Sequence, residues 1–322
     1  MKIAIVGCGA LGSYYGGLLC RAGHETHFLL RSDYEVVQRD GLTITSAAGE
    51  VEVRPICARR PEEIGPAELV IVGLKTTANA TLKETLPPLM RADSLVLTLQ
   101  NGLGNEAFIA GIVGAERTLG GLCFVCLNRV APGKIAHLAH GAVVMGEFGR
   151  RSEARTHRIA EMIAESGVSC RVSENIEQTH WEKLVWNIPF NGLGVAAVAG
   201  LEAVLSGKVG GKAGKCLTTD LLLGDERWLK IVRELMMETI RAARALGLDI
   251  ADSVADYQIE RTRGMGAYKA STLIDFERGQ PLELESLFFE PLRRAKAAGV
   301  ACPRLEGLCE VLKQLEHQRG GN

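Results

Sequence analysis

The sequence predicts an α/β fold, a doubly wound parallel sheet in the first half, followed by an all-helical second half. Three observations predict it. Short runs rich in β-branched residues alternate with helical stretches as far as residue 172. Two of those runs, residues 69–74 and 94–99, are continuously apolar, the pattern of parallel strands buried on both faces. Beyond about Ser173 strand signals fade and long helical stretches take over.

Taken in order, residues 2–6 read as a strand, 10–22 as a helix closed by Gly23, and 25–30 as the next strand. Residues 81–90 fit a helix between the two apolar strands, opened late by Pro87 and Pro88. This rhythm implies right-handed βαβ crossovers. Residues 42–56 and 134–148 are expected as antiparallel additions to the sheet, and 153–166 as a last amphipathic helix. Helices are expected over 177–204, 225–246, 251–278 and 284–298. The division is therefore a nucleotide-binding domain over 1–172 and a helical substrate and catalytic domain over 173–322.

Composition narrows the partners. The 322 residues are 47% hydrophobic and 23% charged, which excludes a disordered chain. A formal net charge of −1 offers no field for nucleic acid or anionic lipid, so a small molecule is expected. The apolar run after Lys2 is too short for a signal-peptide core. The longest apolar stretch, 188–201, carries Asn191 and several glycines and has the length of a buried core helix, not a membrane span. Nine scattered cysteines fit reduced thiols in a cytoplasmic protein. Cys123 and Cys126 form a C-x-x-C, but inside a strand-like run and without a second pair, so no metal site is expected. The glycine- and lysine-rich stretch 206–215 follows no strand and lacks Walker spacing, and reads as an exposed connector.

Gly7-Cys8-Gly9-Ala10-Leu11-Gly12 is a G-x-G-x-x-G directly after a strand and at the mouth of a helix. In that setting it is the dinucleotide fingerprint of a Rossmann-type sheet. Gly7 makes the tight turn, Gly9 admits the pyrophosphate and Gly12 packs helix on strand. The end of the second strand discriminates cofactors, because NAD enzymes place a carboxylate there for the ribose. Here Arg31 follows Leu30, a guanidinium suited to a 2′-phosphate, so NADP (NADPH) is expected. Asp33 stands nearby as the competing ribose ligand. Lys75 and Asn101 follow the ends of two further strands, where ligands collect in open α/β sheets.

The catalytic signal is a polar stripe. Lys183, Asn187 and Asn191 stand at i, i+4 and i+8 in a largely apolar helix, drifting only about 80° in all and so sharing one face. Buried amides and an ammonium need partners, which a substrate's carbonyl, hydroxyl and carboxylate would supply. The alternative is a solvated stripe on an amphipathic helix. Pro189 removes a backbone bond between the two asparagines. His180, one turn before Lys183, is the rival acid, read as a surface or capping histidine.

Together these residues resemble the ketopantoate reductase (2-dehydropantoate 2-reductase) family. The elements are GCGALG, Lys75 in GLK, Asn101 in QNGLGN, Lys183-Leu184-Val185-Trp186-Asn187 with Asn191, and a tail from Glu283 to Pro303. The resemblance implies NADPH-dependent reduction of a branched 2-keto acid in a cleft between a Rossmann domain and a helical domain. The leading substrate is 2-dehydropantoate, reduced to pantoate in pantothenate biosynthesis. It implies Lys183 as general acid, and Asn187, Asn191 and Ser271 as substrate ligands. Asn101 would lie between cofactor and substrate. Glu283 would touch the cofactor and hold the lysine; it falls at an expected helix start, where a carboxylate is favoured. Cys126 matches a position touching cofactor through its backbone. The chain departs from the family at Gly192 and Gly194, and at Leu201 in place of a polar residue. Reductases of other 2-keto acids, a 3-hydroxyacid dehydrogenase and an NADP-binding redox sensor remain competing readings, with a monomer or homodimer expected.

Overall fold

A computed structural model describes residues 1–210 and 214–320; the middle of the 206–215 connector therefore lies outside the described residues. The chain divides into two units, Met1–Glu177 and Gln178–Asn322.

The first unit is built on ten strands: β1 (Lys2–Val6), β2 (Glu25–Leu29), β3 (Leu42–Ser46), β4 (Gly49–Val53), β5 (Ile56–Ala58), β6 (Leu69–Val72), β7 (Leu95–Thr98), β8 (Thr118–Ala131), β9 (Lys134–Glu147) and β10 (Cys170–Val172). They form one sheet in the order β4-β3-β9-β8-β7-β6-β1-β2-β5, with β10 beside β9. From β5 to β8 every pairing is parallel. With the β3–β4 hairpin set aside, this is the 3-2-1-4-5-6 order of dinucleotide-binding sheets, and the direction of winding reverses between β1 and β6.

Strand periodicity distributes the core. Ile3 and Ile5 of β1 join Tyr15, Leu18 and Leu19 of the helix Ala10–Arg21 and Ile159 and Ile163 of the helix Ala154–Glu165. Ala4 and Val6 face the other layer, with Leu82, Leu86, Leu89, Ile109 and Val113. Both faces are covered, which is why β6, and β7 as far as Leu97, are apolar without alternation.

The structure departs from the sequence pattern in several places. No single helix forms over 81–90. The segment is a 3₁₀ stretch (Thr76–Thr81), one α turn (Leu82–Thr85) and a 3₁₀ turn (Pro87–Leu89), since neither proline can donate a helix bond. The additions to the sheet are only partly antiparallel. β8 and β9 pair antiparallel, as do β3 and β4, but β3 joins β9 in parallel and Ile56 opens β5, parallel to β2. In the helical half, Ile176–Ala196 ends before a 3₁₀ turn and Gly200 (φ +88°), so the helix expected over 177–204 is interrupted. The expected 251–278 helix splits into Ser253–Arg263 and Ser271–Glu277, because Gly264-Met265-Gly266 intervenes with Gly266 at φ +63°. Glu226–Ala245 forms close to its expected span, and a π-helical turn (Glu285–Phe289) leads into Glu290–Ala297. A final helix, Pro303–Gly320, was not anticipated. Its first turn is capped by Glu238, whose buried carboxylate accepts from the N–H groups of Arg304 (3.0 Å) and Leu305 (2.9 Å).

One buried charge organises the end of β9. Glu147 has no exposed side-chain surface, yet it accepts from Arg155 at 2.8 and 3.0 Å, Thr156 at 2.6 Å and Arg150 at 3.0 Å. Burial alone would raise its pKa, but the combined donors hold it below the usual glutamate range. A carboxylate whose folded pKa is depressed contributes stability above the unfolded value of about 4.3, and that contribution fades as pH falls through the lower folded value. Glu147→Gln should therefore lower stability at pH 7 by about 2 kcal/mol. It should also flatten the loss of stability between neutral and acidic pH, measured by urea unfolding across that range. Equal acid sensitivity of the two proteins would refute the assignment.

Candidate active site

Backbone crowding builds the nucleotide end of the first unit. Gly7 has φ +97°, and a Cβ there would lie 2.3 Å from the Leu74 nitrogen, in the loop after β6. A Cβ on Gly12 would lie 2.2 Å from the Gly7 carbonyl oxygen. Gly9 differs: a Cβ there would meet nothing within 4 Å. The helix Ala10–Arg21 opens at Gly9 with no side-chain cap, and the first helical bond runs from Ser13 N to Gly9 O at 3.0 Å. The N–H groups of that first turn and the helix dipole thus converge beside an open glycine face, a cradle suited to a pyrophosphate.

At the end of β2 the two candidate cofactor ligands part company. Arg31 and Ser32 are exposed, whereas Asp33 is 6% exposed and turned away into a network. Its Oδ1 accepts from Arg129 Nη2 at 2.7 Å and Ser32 Oγ at 2.9 Å, and its Oδ2 from the Gly133 N–H at 3.2 Å. Arg129 and Gly133 belong to the β8–β9 hairpin. The aspartate is a tie between β2 and that hairpin, and Arg31 is the exposed charge where the strand ends.

The loops after β6 and β7 are fastened to one another by amides. Gln100 Nε2 donates to Leu74 O at 3.0 Å and Asn79 Oδ1 at 2.7 Å. Asn79 Nδ2 donates to Asn105 Oδ1 at 2.9 Å, and Asn105 Nδ2 to Asn101 O at 3.0 Å. The chain of bonds fixes the backbone that carries Lys75, exposed, and Asn101, half-buried. Sequence reasoning missed Asn79, Gln100 and Asn105. A cluster of amides after two strand ends was the available signal. Cys126 lies on β8 beside a register shift, half-buried.

In the second unit the stripe lies on a buried helix. Asn187 and Asn191 are 6% and 2% exposed, and Lys183 is half-buried. Asn191 already has protein partners. Its Oδ1 accepts from the Thr272 N–H at 2.9 Å and Ser271 Oγ at 3.2 Å, and its Nδ2 donates to Asn187 Oδ1 at 3.4 Å. The stripe and Ser271 are thereby brought together at the start of the helix Ser271–Glu277. Glu283 is buried two residues before the π-helical turn, its carbonyl accepting from Leu287 N at 3.3 Å, so a helix does start there. Trp186 borders the stripe, its indole N–H donating to Thr262 Oγ at 2.9 Å and its ring centroid 5.1 Å from that of Phe190. His180 is neither a surface nor a capping histidine: it is 4% exposed and lies inside the helix, one turn from Lys183.

The two glycines that break the family pattern have packing causes. A Cβ on Gly192 would lie 2.6 Å from Leu308 Cδ2 and 2.8 Å from Phe288. One on Gly194 would lie 3.1 Å from both Leu217 O and Leu273 Cδ1. They let neighbouring segments approach the stripe helix.

The glycine geometry separates cofactor binding from folding. Gly9→Ala should leave the thermal midpoint unchanged and weaken dinucleotide binding at least tenfold, since its methyl occupies the cradle and touches no protein atom. Gly12→Ala should lower both, costing roughly 1–3 kcal/mol of stability because backbone must move. Calorimetric melting and dinucleotide titration of the two variants read the difference, and equal melting behaviour would contradict it.

Comparison with known proteins covers both halves. The family model described as ketopantoate reductase PanE/ApbA matches residues 3–150, and its C-terminal counterpart matches 175–316. A protein of Nostoc sp. named 2-dehydropantoate 2-reductase is 38% identical over 98% of this chain and 95% of its own length. The crystal structure of 2-dehydropantoate 2-reductase from Geobacter metallireducens is 44% identical, covers 98% of this chain and 99% of that one, and has a TM-score of 0.89. A ternary structure of D-mandelate dehydrogenase with NADH and anilino(oxo)acetate, 23% identical over 99% of each chain, shares the fold with a TM-score of 0.86. Matched through its sheet and through its helices alike, the chain belongs to the ketopantoate reductase PanE/ApbA family of oxidoreductases.

Proposed function

We propose that the chain reduces 2-dehydropantoate to pantoate with NADPH, residues 1–172 holding the nucleotide and 173–322 the keto acid. The observation that carries this reading is the Lys183–Asn187–Asn191 stripe on a buried helix, in a chain whose relatives of that name match it end to end. Gly7, Cys8, Gly9, Ala10, Leu11 and Gly12 would cradle the pyrophosphate, with Arg31 on the 2′-phosphate and Lys75, Asn101 and the Cys126 backbone completing the nucleotide site. When bound, the reduced nicotinamide supplies the hydride to carbon 2 of the ketone. Negative charge grows on the ketone oxygen, and Lys183 delivers the proton there. Asn187, Asn191 and Ser271 hold the substrate's oxygens, while Glu283 positions the lysine ammonium and contacts the cofactor. The enzyme is read as cytoplasmic and as a monomer or homodimer; separately, no described helix is long and apolar enough to cross a membrane. The test of the activity is NADPH oxidation, followed by absorbance, across a panel of 2-keto acids. 2-Dehydropantoate should give the highest kcat/KM, and a higher value for another keto acid would move the substrate assignment while keeping the reaction.

Cofactor preference should reside largely in Arg31. Loss of one charge-assisted bidentate contact should weaken NADPH about 10- to 100-fold in Arg31→Ala, with NADH affinity nearly unchanged. Equal losses for the two cofactors would remove Arg31 from the phosphate site.

Lys183→Met should lower kcat by roughly 10²- to 10⁴-fold without weakening NADPH. Glu283→Gln should cost less, and the double variant little more than Lys183→Met alone, because the two act as one unit. Single-turnover hydride transfer also decides between Lys183 and His180. An inactive His180→Ala beside an active Lys183→Met would move the acid to the histidine.

A further inference from the structure

We infer that Asn191, besides holding a substrate oxygen through its remaining N–H, positions its neighbour: it fixes the polarity of the Asn187 amide, so that the stripe offers only donors and selects ligand groups that accept hydrogen bonds. The inference rests on the proposed placement of a substrate along Lys183 and Asn187.

The argument starts from a group whose role is unambiguous. The Thr272 N–H is a backbone donor at the first turn of the helix Ser271–Glu277, and a side-chain atom of Asn191 lies 2.9 Å from it. Only the carbonyl oxygen of the amide can lie there. The reverse orientation would set two buried donors against each other, in a residue 2% exposed, and leave the N–H unsatisfied. Ser271 Oγ, 3.2 Å from the same oxygen, supports that orientation. Asn191 Nδ2 must then face Asn187, and Asn187 answers with its carbonyl oxygen at 3.4 Å. The amide group of Asn187 that remains for a ligand is therefore its NH₂. One turn earlier on the same face stands the Lys183 ammonium, which also only donates. A helix-terminal N–H thus dictates, through two amides, that ketone, carboxylate and hydroxyl oxygens are accepted. An ammonium at the same place, as on a 2-amino acid, would meet donors.

Two variants reverse the polarity. In Asn191→Asp the carboxylate keeps the bond to Thr272 but cannot donate, so Asn187 turns its NH₂ inward and shows its oxygen to the ligand. In Asn187→Asp the tie to the second helix is untouched and an acceptor is presented directly. Both should raise KM for 2-dehydropantoate about 10- to 100-fold, with a smaller change in kcat and unchanged NADPH binding. A carboxylate also repels an anionic substrate, so the uncharged 2-keto amide of the same skeleton is the second probe. Polarity reversal weakens the keto amide comparably, whereas loss confined to the keto acid would overturn the inference in favour of charge repulsion. Neutron diffraction of the wild-type protein reads the hydrogens directly and does not depend on turnover. Deuterium on the Asn191 atom facing Thr272 would overturn the inference even if the reductase reading holds. Its absence there, in a protein that reduces no 2-keto acid, would support the amide orientation and reject the substrate assignment.

Discussion

At the head of β1 the first unit packs backbone directly against backbone. The loop after β6 approaches Gly7 so nearly, and Gly7 approaches Gly12 so nearly, that neither position has room for a single carbon. This contact brings β1, its following helix and the next parallel strand together at the point where the winding of the sheet reverses. Everything offered to a nucleotide depends on it. The unpaired N–H groups of the helix, the exposed Arg31 and the loops bearing Lys75 and Asn101 are all suspended from strands whose spacing this contact sets.

Farther from that point, precision comes from amides instead of glycines. Gln100, Asn79 and Asn105 tie two loops by bonds of 2.7 to 3.0 Å, and Asn191 ties two helices. An amide is suited to this because it donates at one end and accepts at the other, so a backbone group at one terminus determines what is presented at the next. Apolar packing could hold the same elements at the same distance, but it would not impart a direction.

Much of this was legible in the sequence, and for identifiable reasons. The parallel strands were readable because burial on both faces leaves continuous apolar runs, and the fingerprint because Gly7 and Gly12 answer to steric limits that no other residue meets. The stripe was readable because helical spacing is regular. The breaks were harder. A proline pair or a Gly-x-Gly can kink, shorten or end a helix, and the choice among these is made by tertiary packing; hence the dissolution of the 81–90 helix and the division of 251–278. The parallel joining of β3 to β9 depends on contacts about ninety residues apart, which leave no local trace. Asp33 shows the same limit at a single residue. Its proximity to Arg31 in sequence suggested a ribose ligand, and only the fold reveals the partner that occupies it.

That partner has a consequence for changing what the nucleotide site prefers. Arg129 stands 96 positions from Asp33 along the chain, yet its guanidinium holds this carboxylate, the first after the end of β2. If Arg31 holds the 2′-phosphate as proposed, replacing it alone would remove that attraction without creating any acceptor for a bare ribose. Conversion to the smaller nucleotide would require the hairpin to release Asp33 as well, or a fresh carboxylate placed at the exposed strand end. On that proposal the selectivity switch is distributed over two distant stretches of sequence, and inspection of the β2 segment by itself would misjudge how many mutations separate one specificity from the other.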